Sequence, residues 1–142
     1  MIREIVTFPN VVLRRKSIRA ENDKDTQILI QDLLDTMQHN NGAGLAANQI
    51  NVDKRVIATN HINYPIVINP MILYKSKETV FNNERCLSLP GESYPVKRHE
   101  CITVAGYDRN FYPIMIDADG LFSVVLQHEI DHLDGKLIID FS

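Results

Sequence analysis

The chain has 142 residues, 44% of them hydrophobic and 23% charged, with a formal net charge of −3. That is one domain's worth, enough to bury a core without disulfide or metal staples. The slight acidity argues against a nucleic-acid or anionic-membrane surface, and no run of ~18 apolar residues is present to cross a bilayer. The opening Met1-Ile2-Arg3-Glu4-Ile5-Val6 is too short and too charged for a secretory leader. Cys86 and Cys101 are the only cysteines, and in a leaderless chain they read as thiols rather than as a disulfide. These features predict one cytoplasmic, monomeric domain over residues 1–142, with no nucleic-acid or membrane partner.

In chain order, residues 1–24 mix short apolar pieces with charge and read as an irregular arm packed over the domain. Asp25 is suited to cap a helix running to about His39, with Ile28, Leu29, Leu33, Leu34 and Met37 on one face. Asn40-Asn41-Gly42 ends it, because Asn and Gly tolerate the left-handed backbone that follows a helix. Strands are expected over 55–59, 66–68, 72–75, 86–89, 101–107 and 112–116, where apolar runs are bounded by turn residues. Asp108-Arg109-Asn110 is short enough to make the last two an antiparallel hairpin. Asp117 or Asp119 then caps a second helix from about Gly120, apolar nearly all round and therefore buried, with Gly135 as its stop. Strands without alternating helices, and a buried helix near the end, predict an α+β fold with antiparallel sheets around that helix.

The second helix carries His128-Glu129-Ile130-Asp131-His132, an H-E-x-x-H pattern. Residues i and i+4 share a helix face, so both imidazoles can reach one metal ion. Glu129 then stands where it can take a proton from a water on that ion. A catalytic site of this type wants a third protein ligand. The longer protease motif would put it at Ile138, which cannot bind a metal, and Asp134 is too close to His132 to share its face. The donor is therefore expected upstream. Cys86, in Glu84-Arg85-Cys86-Leu87-Ser88, is the leading candidate because thiolate binds zinc or iron(II) well. A lone cysteine also reads as a small buried hydrophobe, which is the reading for Cys101. His39, His61 and His99 read as solvated surface groups.

Gly42-Ala43-Gly44-Leu45-Ala46-Ala47-Asn48-Gln49 could pass for a dinucleotide-binding turn, but a helix rather than a strand precedes it. Two glycines there instead suit close approach of the backbone to a peptide-like ligand. Gln49 offers a side-chain N–H for an oxyanion.

Taken together, Gly42 to Gln49, Glu84 to Ser88 and Gln127 to Gly135 resemble the ordered motifs of the peptide deformylase family. The resemblance extends over nearly the whole chain. It implies a single divalent metal held by Cys86, His128 and His132, most often iron(II), with nickel, cobalt or zinc able to replace it. It implies that Glu129 acts as general base and then acid, with Gln49 and the backbone N–H of Leu87 stabilising the oxyanion. Ala43, Gly44, Leu87, Leu121, Val124 and Val125 would line the peptide groove or methionine pocket. The substrate would be N-formylmethionyl peptides, cleaved to formate and a free amino terminus.

Two departures stand out. Arg85 occupies the family's glycine position, where it could reach solvent, pair with Glu84 or Glu92, or meet the distal part of a substrate. The chain also stops at Ser142, without the further helix linked to the ribosome in typical bacterial members. It thus resembles short phage-borne forms, for which only transient ribosome contact is expected, in a bacterial or phage-infected cytosol. The rival expectations are a different H-E-x-x-H hydrolase such as a peptidase, and a formyl-peptide binder impaired by Arg85.

Overall fold

A computed structural model of the protein describes residues 1–141. Its elements in chain order are α1 (Lys24–His39), β1 (Gly44–Ala46), β2 (Val56–Thr59), β3 (Ile66–Lys75), β4 (Thr79–Cys86), β5 (Leu89–His99), β6 (Cys101–Tyr107), β7 (Pro113–Asp119) and α2 (Gly120–Leu133). Five strands form an antiparallel sheet in the order β1-β2-β3-β6-β7, and β4 pairs with β5 as a separate hairpin. This is the α+β, antiparallel architecture expected.

The two helices cover opposite faces of the sheet. Leu29, Ile30, Leu33 and Met37 of α1 pack with Leu45, Val56, Ala58, Ile66 and Ile68. Leu126, Ile130 and Leu133 of α2 pack with the residues that point the other way, including Ala46, Ile57, Val67, Val104 and Ile116. Because side chains alternate across a strand, sandwiching β2 between helices buries all four of its residues. A third cluster joins Cys86, Leu89 and Val96 of the hairpin to Val12 and Leu13 of the arm and to Leu137 and Ile138.

Several expectations are corrected. The cap of α1 is Asp23, whose carboxylate accepts from the Thr26 N–H at 2.8 Å; Asp25 lies inside the first turn. Ile28 is 51% exposed and its place in the core is taken by Ile30, while Leu34 is only half-buried. The runs 66–68 and 72–75 are one strand. Between them Asn69 adopts a positive φ of 52°, and its side chain bonds both the N–H and the carbonyl of Ala20. The stretch 86–89 is a turn, with Cys86 ending β4 and Leu89 starting β5. Both hairpin strands escaped notice because their faces are mostly exposed and Pro90 and Pro95 read as breakers; in a two-stranded ribbon each strand is an edge and tolerates them. Asp119, not Asp117, occupies the cap position of α2, though without a side-chain bond, and Asp117 accepts from Thr103 instead. Leu121 is exposed, so α2 is not buried all round.

The arm is irregular as expected, apart from a 3-10 turn at Val11–Arg14. It ties separate parts of the molecule together. Arg3 N–H donates to Thr36 of α1, Val6 N–H to the carbonyl of Gln49 at 2.8 Å and Phe8 N–H to the carbonyl of Ser88 at 2.9 Å.

Two stability outcomes follow. Asp23→Ala should cost ~1 kcal/mol in urea unfolding and Asp25→Ala clearly less. Leu126→Ala, at a fully buried position between α2 and the sheet, should cost about 2–5 kcal/mol.

Candidate metal centre

α2, the β1 segment with its following 3-10 turn (Ala47–Ile50), and the tip of the β4–β5 hairpin converge at one place. From α2, His128 and His132 project one turn apart on a single face, with their Nε2 atoms 3.2 Å from each other. From the end of β4, the Sγ of Cys86 lies 3.2 Å from His132 Nε2. All three ligand atoms fall within 4.8 Å of one another. Bond lengths of ~2.0–2.1 Å to imidazole nitrogen and ~2.3 Å to thiolate put neighbouring ligands of a tetrahedral ion about 3.3–3.6 Å apart. The donors therefore have both the chemistry and the spacing to hold one divalent ion.

Glu129 sits on the adjoining face of α2, with 4% of its surface exposed. Burial pushes its carboxyl up to about 7, against the opposing charges of His128 and Arg98. Its Oε1 is buried with no hydrogen-bond partner among the described residues, so an acceptor is left open. Gly44 makes room for it, since a Cβ at that position would stand 2.7 Å from Glu129 Oε2 and 2.9 Å from its Cγ. The close approach expected of this glycine is thus to the protein's own carboxylate.

Gln49 is buried, and its amide is oriented from both ends. Its Oε1 accepts from the Ala46 N–H at 2.9 Å, while Nε2 faces Ser88 Oγ at 3.1 Å and Cys86 Sγ at 3.6 Å. The centre opens into a cavity of about 610 Å³. Gln49, Cys86, His128 and Glu129 form its polar end, and Leu121, Val124 and Val125 one apolar wall. Ala43, Gly44 and Leu87 line it as well, as does Arg85 at the rim.

The sequence reading missed what holds these groups. Glu84 and Arg98, on β4 and β5, are each about 4% exposed at the side chain and form a bidentate pair with both contacts at 2.7 Å. Arg98 also bonds Asp131 on α2, and the Glu84 carboxylate accepts from His128 Nδ1 at 2.8 Å. Burial would raise the Glu84 carboxyl, but Arg98 and His128 outweigh it and hold the group below its usual range. Asn48 donates to the carbonyl of His132 at 2.6 Å, anchoring the end of α2 to the glycine segment. Glu84 was visible in the second motif and Asp131 in the third, yet nothing in either spacing pointed to Arg98 as their common partner.

Of the other candidates, Asp134 turns away to pair with Arg55 at 3.0 Å. Cys101 is half-buried at the start of β6 rather than in the core. His39 is exposed as expected, but His61 stacks on Phe122 at 4.2 Å and His99 donates from Nδ1 to the Ser76 carbonyl at 2.8 Å. Arg85 is exposed, with no ion pair among the described residues. Glu84 is taken up by Arg98 and His128, and Glu92 accepts from the Tyr94 hydroxyl. Neither glutamate forms an ion pair with Arg85 among the described residues.

The buried carboxylate behind His128 fixes that ring, so Glu84→Gln should weaken cobalt or zinc binding ~10–100-fold in a chelator competition titration. Unchanged affinity would mean that the ring is oriented by α2 alone.

The polypeptide deformylase family model matches residues 2–141. A peptide deformylase of Buchnera aphidicola subsp. Cinara cedri is 41% identical over 146 aligned positions, covering 99% of this chain and 97% of the relative. The crystal structure of peptide deformylase from Ehrlichia chaffeensis superposes with a TM-score of 0.95 at 35% identity, over 100% of this chain and 88% of that one. The actinonin complex of the enzyme from Vibrio parahaemolyticus bacteriophage VP16T gives 0.90 at 37% identity, over 95% and 99% of the two chains. With a family model spanning almost every residue, the chain belongs to the polypeptide deformylase family.

Proposed function

We propose that the chain hydrolyses the N-formyl group from the formylmethionine that begins a polypeptide, releasing formate and a free amino terminus. The observation that carries this reading is the cluster of Cys86 Sγ, His128 Nε2 and His132 Nε2 with the Glu129 carboxylate buried beside it. One thiolate and two imidazoles suit a borderline divalent ion, and iron(II) is the proposed occupant, with nickel, cobalt or zinc able to replace it. Such an ion, when bound, acidifies water and polarises the formyl carbonyl.

The protein's own groups do the rest. Glu129, buried beside the ligand cluster with an open acceptor at Oε1, takes a proton from the attacking water. It returns that proton to the nitrogen as the C–N bond of the formamide breaks, so one group serves as base and then as acid. The Nε2–H of Gln49 and the backbone N–H of Leu87 are assigned to the oxygen of the formyl group as it gains charge. Leu121, Val124 and Val125 take the methionine side chain, and Ala43, Gly44 and Leu87 line the path of the peptide. A buried general base supports a hydrolase over a binding-only relative.

Residues 1–142 are proposed to act as a single catalytic domain. The proposed setting is a bacterial or phage-infected cytoplasm, with the protein monomeric and meeting the ribosome only transiently. Among the described residues no helix is long and apolar enough to cross a membrane.

The test is anaerobic purification, metal analysis and formate release from formyl-Met-Ala-Ser. Wild type and Glu129→Ala should each carry one metal per chain, with activity lost only in the variant. A metal-free wild type as inactive as the variant would overturn the reading. Gln49→Ala should lower kcat by about 10²–10³-fold while the metal is retained.

A further inference from the structure

Alternation along β4 turns Glu84 and Cys86 inward and Arg85 to the opposite, exposed side. Arg85 nonetheless lines the cavity, immediately before the ligand cysteine and across from Ser93 on β5. The hairpin register slips between Arg85 and Cys86, which leaves Pro90, Gly91 and Glu92 as a lip beside it. Asn40 and Asn41 at the end of α1 and Asn82, Asn83 and Ser93 of the hairpin add uncharged polar side chains to the same lining. Glu92, the other charge on this lip, is engaged by the Tyr94 hydroxyl. The guanidinium of Arg85 is therefore an exposed cation at the cavity mouth with no carboxylate partner among the described residues.

We propose that Arg85 is a specificity-determining residue that favours formylated chains with an acidic residue one or two positions after the formylmethionine. The proposal rests on the deformylase reading and concerns the part of the substrate beyond the methionine. An extended peptide advances ~3.4 Å per residue. On this proposal the second or third residue of a chain whose formyl group sits at the metal ligands lies against the Arg85 side chain, which lines the same cavity next to Cys86. The contact forms in solvent, so it supports a preference of roughly two- to fivefold and is weakened by salt.

The experiment compares kcat/KM of the metal-loaded enzyme on formyl-Met-X-Ala-Ala and formyl-Met-Ala-X-Ala, with X as Asp, Asn or Lys. The peptides are amidated so that no terminal carboxylate competes. Wild type should prefer Asp over Lys about two- to fivefold in at least one series. The preference should reside mainly in KM and shrink in 0.5 M salt. Arg85→Gln should bring the Asp-to-Lys ratio close to one, and Arg85→Glu should invert it. A ratio that is the same in all three proteins, with formate still released, would overturn the role of Arg85 and leave the deformylase reading standing. No formate from any peptide with metal-loaded wild type would overturn the deformylase reading and this inference with it.

Discussion

A buried ion pair between the two strands of the hairpin underlies the geometry of the centre. Glu84 and Arg98 meet bidentately in a place almost without solvent, and each passes a contact on to α2. Burying two charges is costly, and leaving either one alone would cost about 3–5 kcal/mol. The hairpin is thereby committed to one position against the helix, with Arg98 on Asp131 and Glu84 on His128. Cys86 lies two residues after Glu84 on the same face of β4, so seating the pair also seats the thiol beside the two imidazoles. Stability and ligand geometry depend on the same contacts.

On the other side of the site the constraint is steric. Gly44, Ala46 and Gln49 come from a short strand and a 3-10 turn that offer little secondary structure of their own. Their positions are set by the Glu129 carboxylate against Gly44, by the Ala46 N–H on the Gln49 side chain and by Asn48 on the end of α2. The amide of Gln49 is therefore aimed before any ligand arrives. In the oxyanion role proposed for Gln49, a donor held in this way would need no reorganisation at the moment of reaction.

Periodicity and punctuation were enough to find α2 with its His128–His132 face, the extent of β6, and the end of α1 at Asn40-Asn41-Gly42. These features depend on neighbours within a few residues. The β4–β5 hairpin was not legible, because most of its residues are exposed and two of its few buried side chains, Glu84 and Arg98, are charged and read as solvent-facing in any local window. The reason for Gly44 was also hidden, since the atom that excludes a side chain there belongs to a glutamate far along the chain. Ile28 and Ile30 illustrate the same limit: both suit a helix face, and only the tilt of α1 on the sheet decides which is buried. Local pattern located His128 and His132 and singled out Cys86, whereas long-range packing decided how the three are held together.

The N-terminal arm gives this centre a history as well as a shape. Its backbone bonds the carbonyls of Gln49 and Ser88, whose side chains meet beside Cys86, while His128 and His132 come from α2. Walls, ligands and brace therefore draw on both extremes of the chain, a topology of high contact order. During synthesis the arm can meet Thr36, Gln49 and Ser88 early, but its bonds from Ser17 to the Leu133 carbonyl and from Arg14 to Asp140 form only once α2 and the residues after it have emerged. The histidines of α2 are made last among the groups of the centre, so its thiol and its two imidazoles come together only after the hairpin and the glycine segment are already in place.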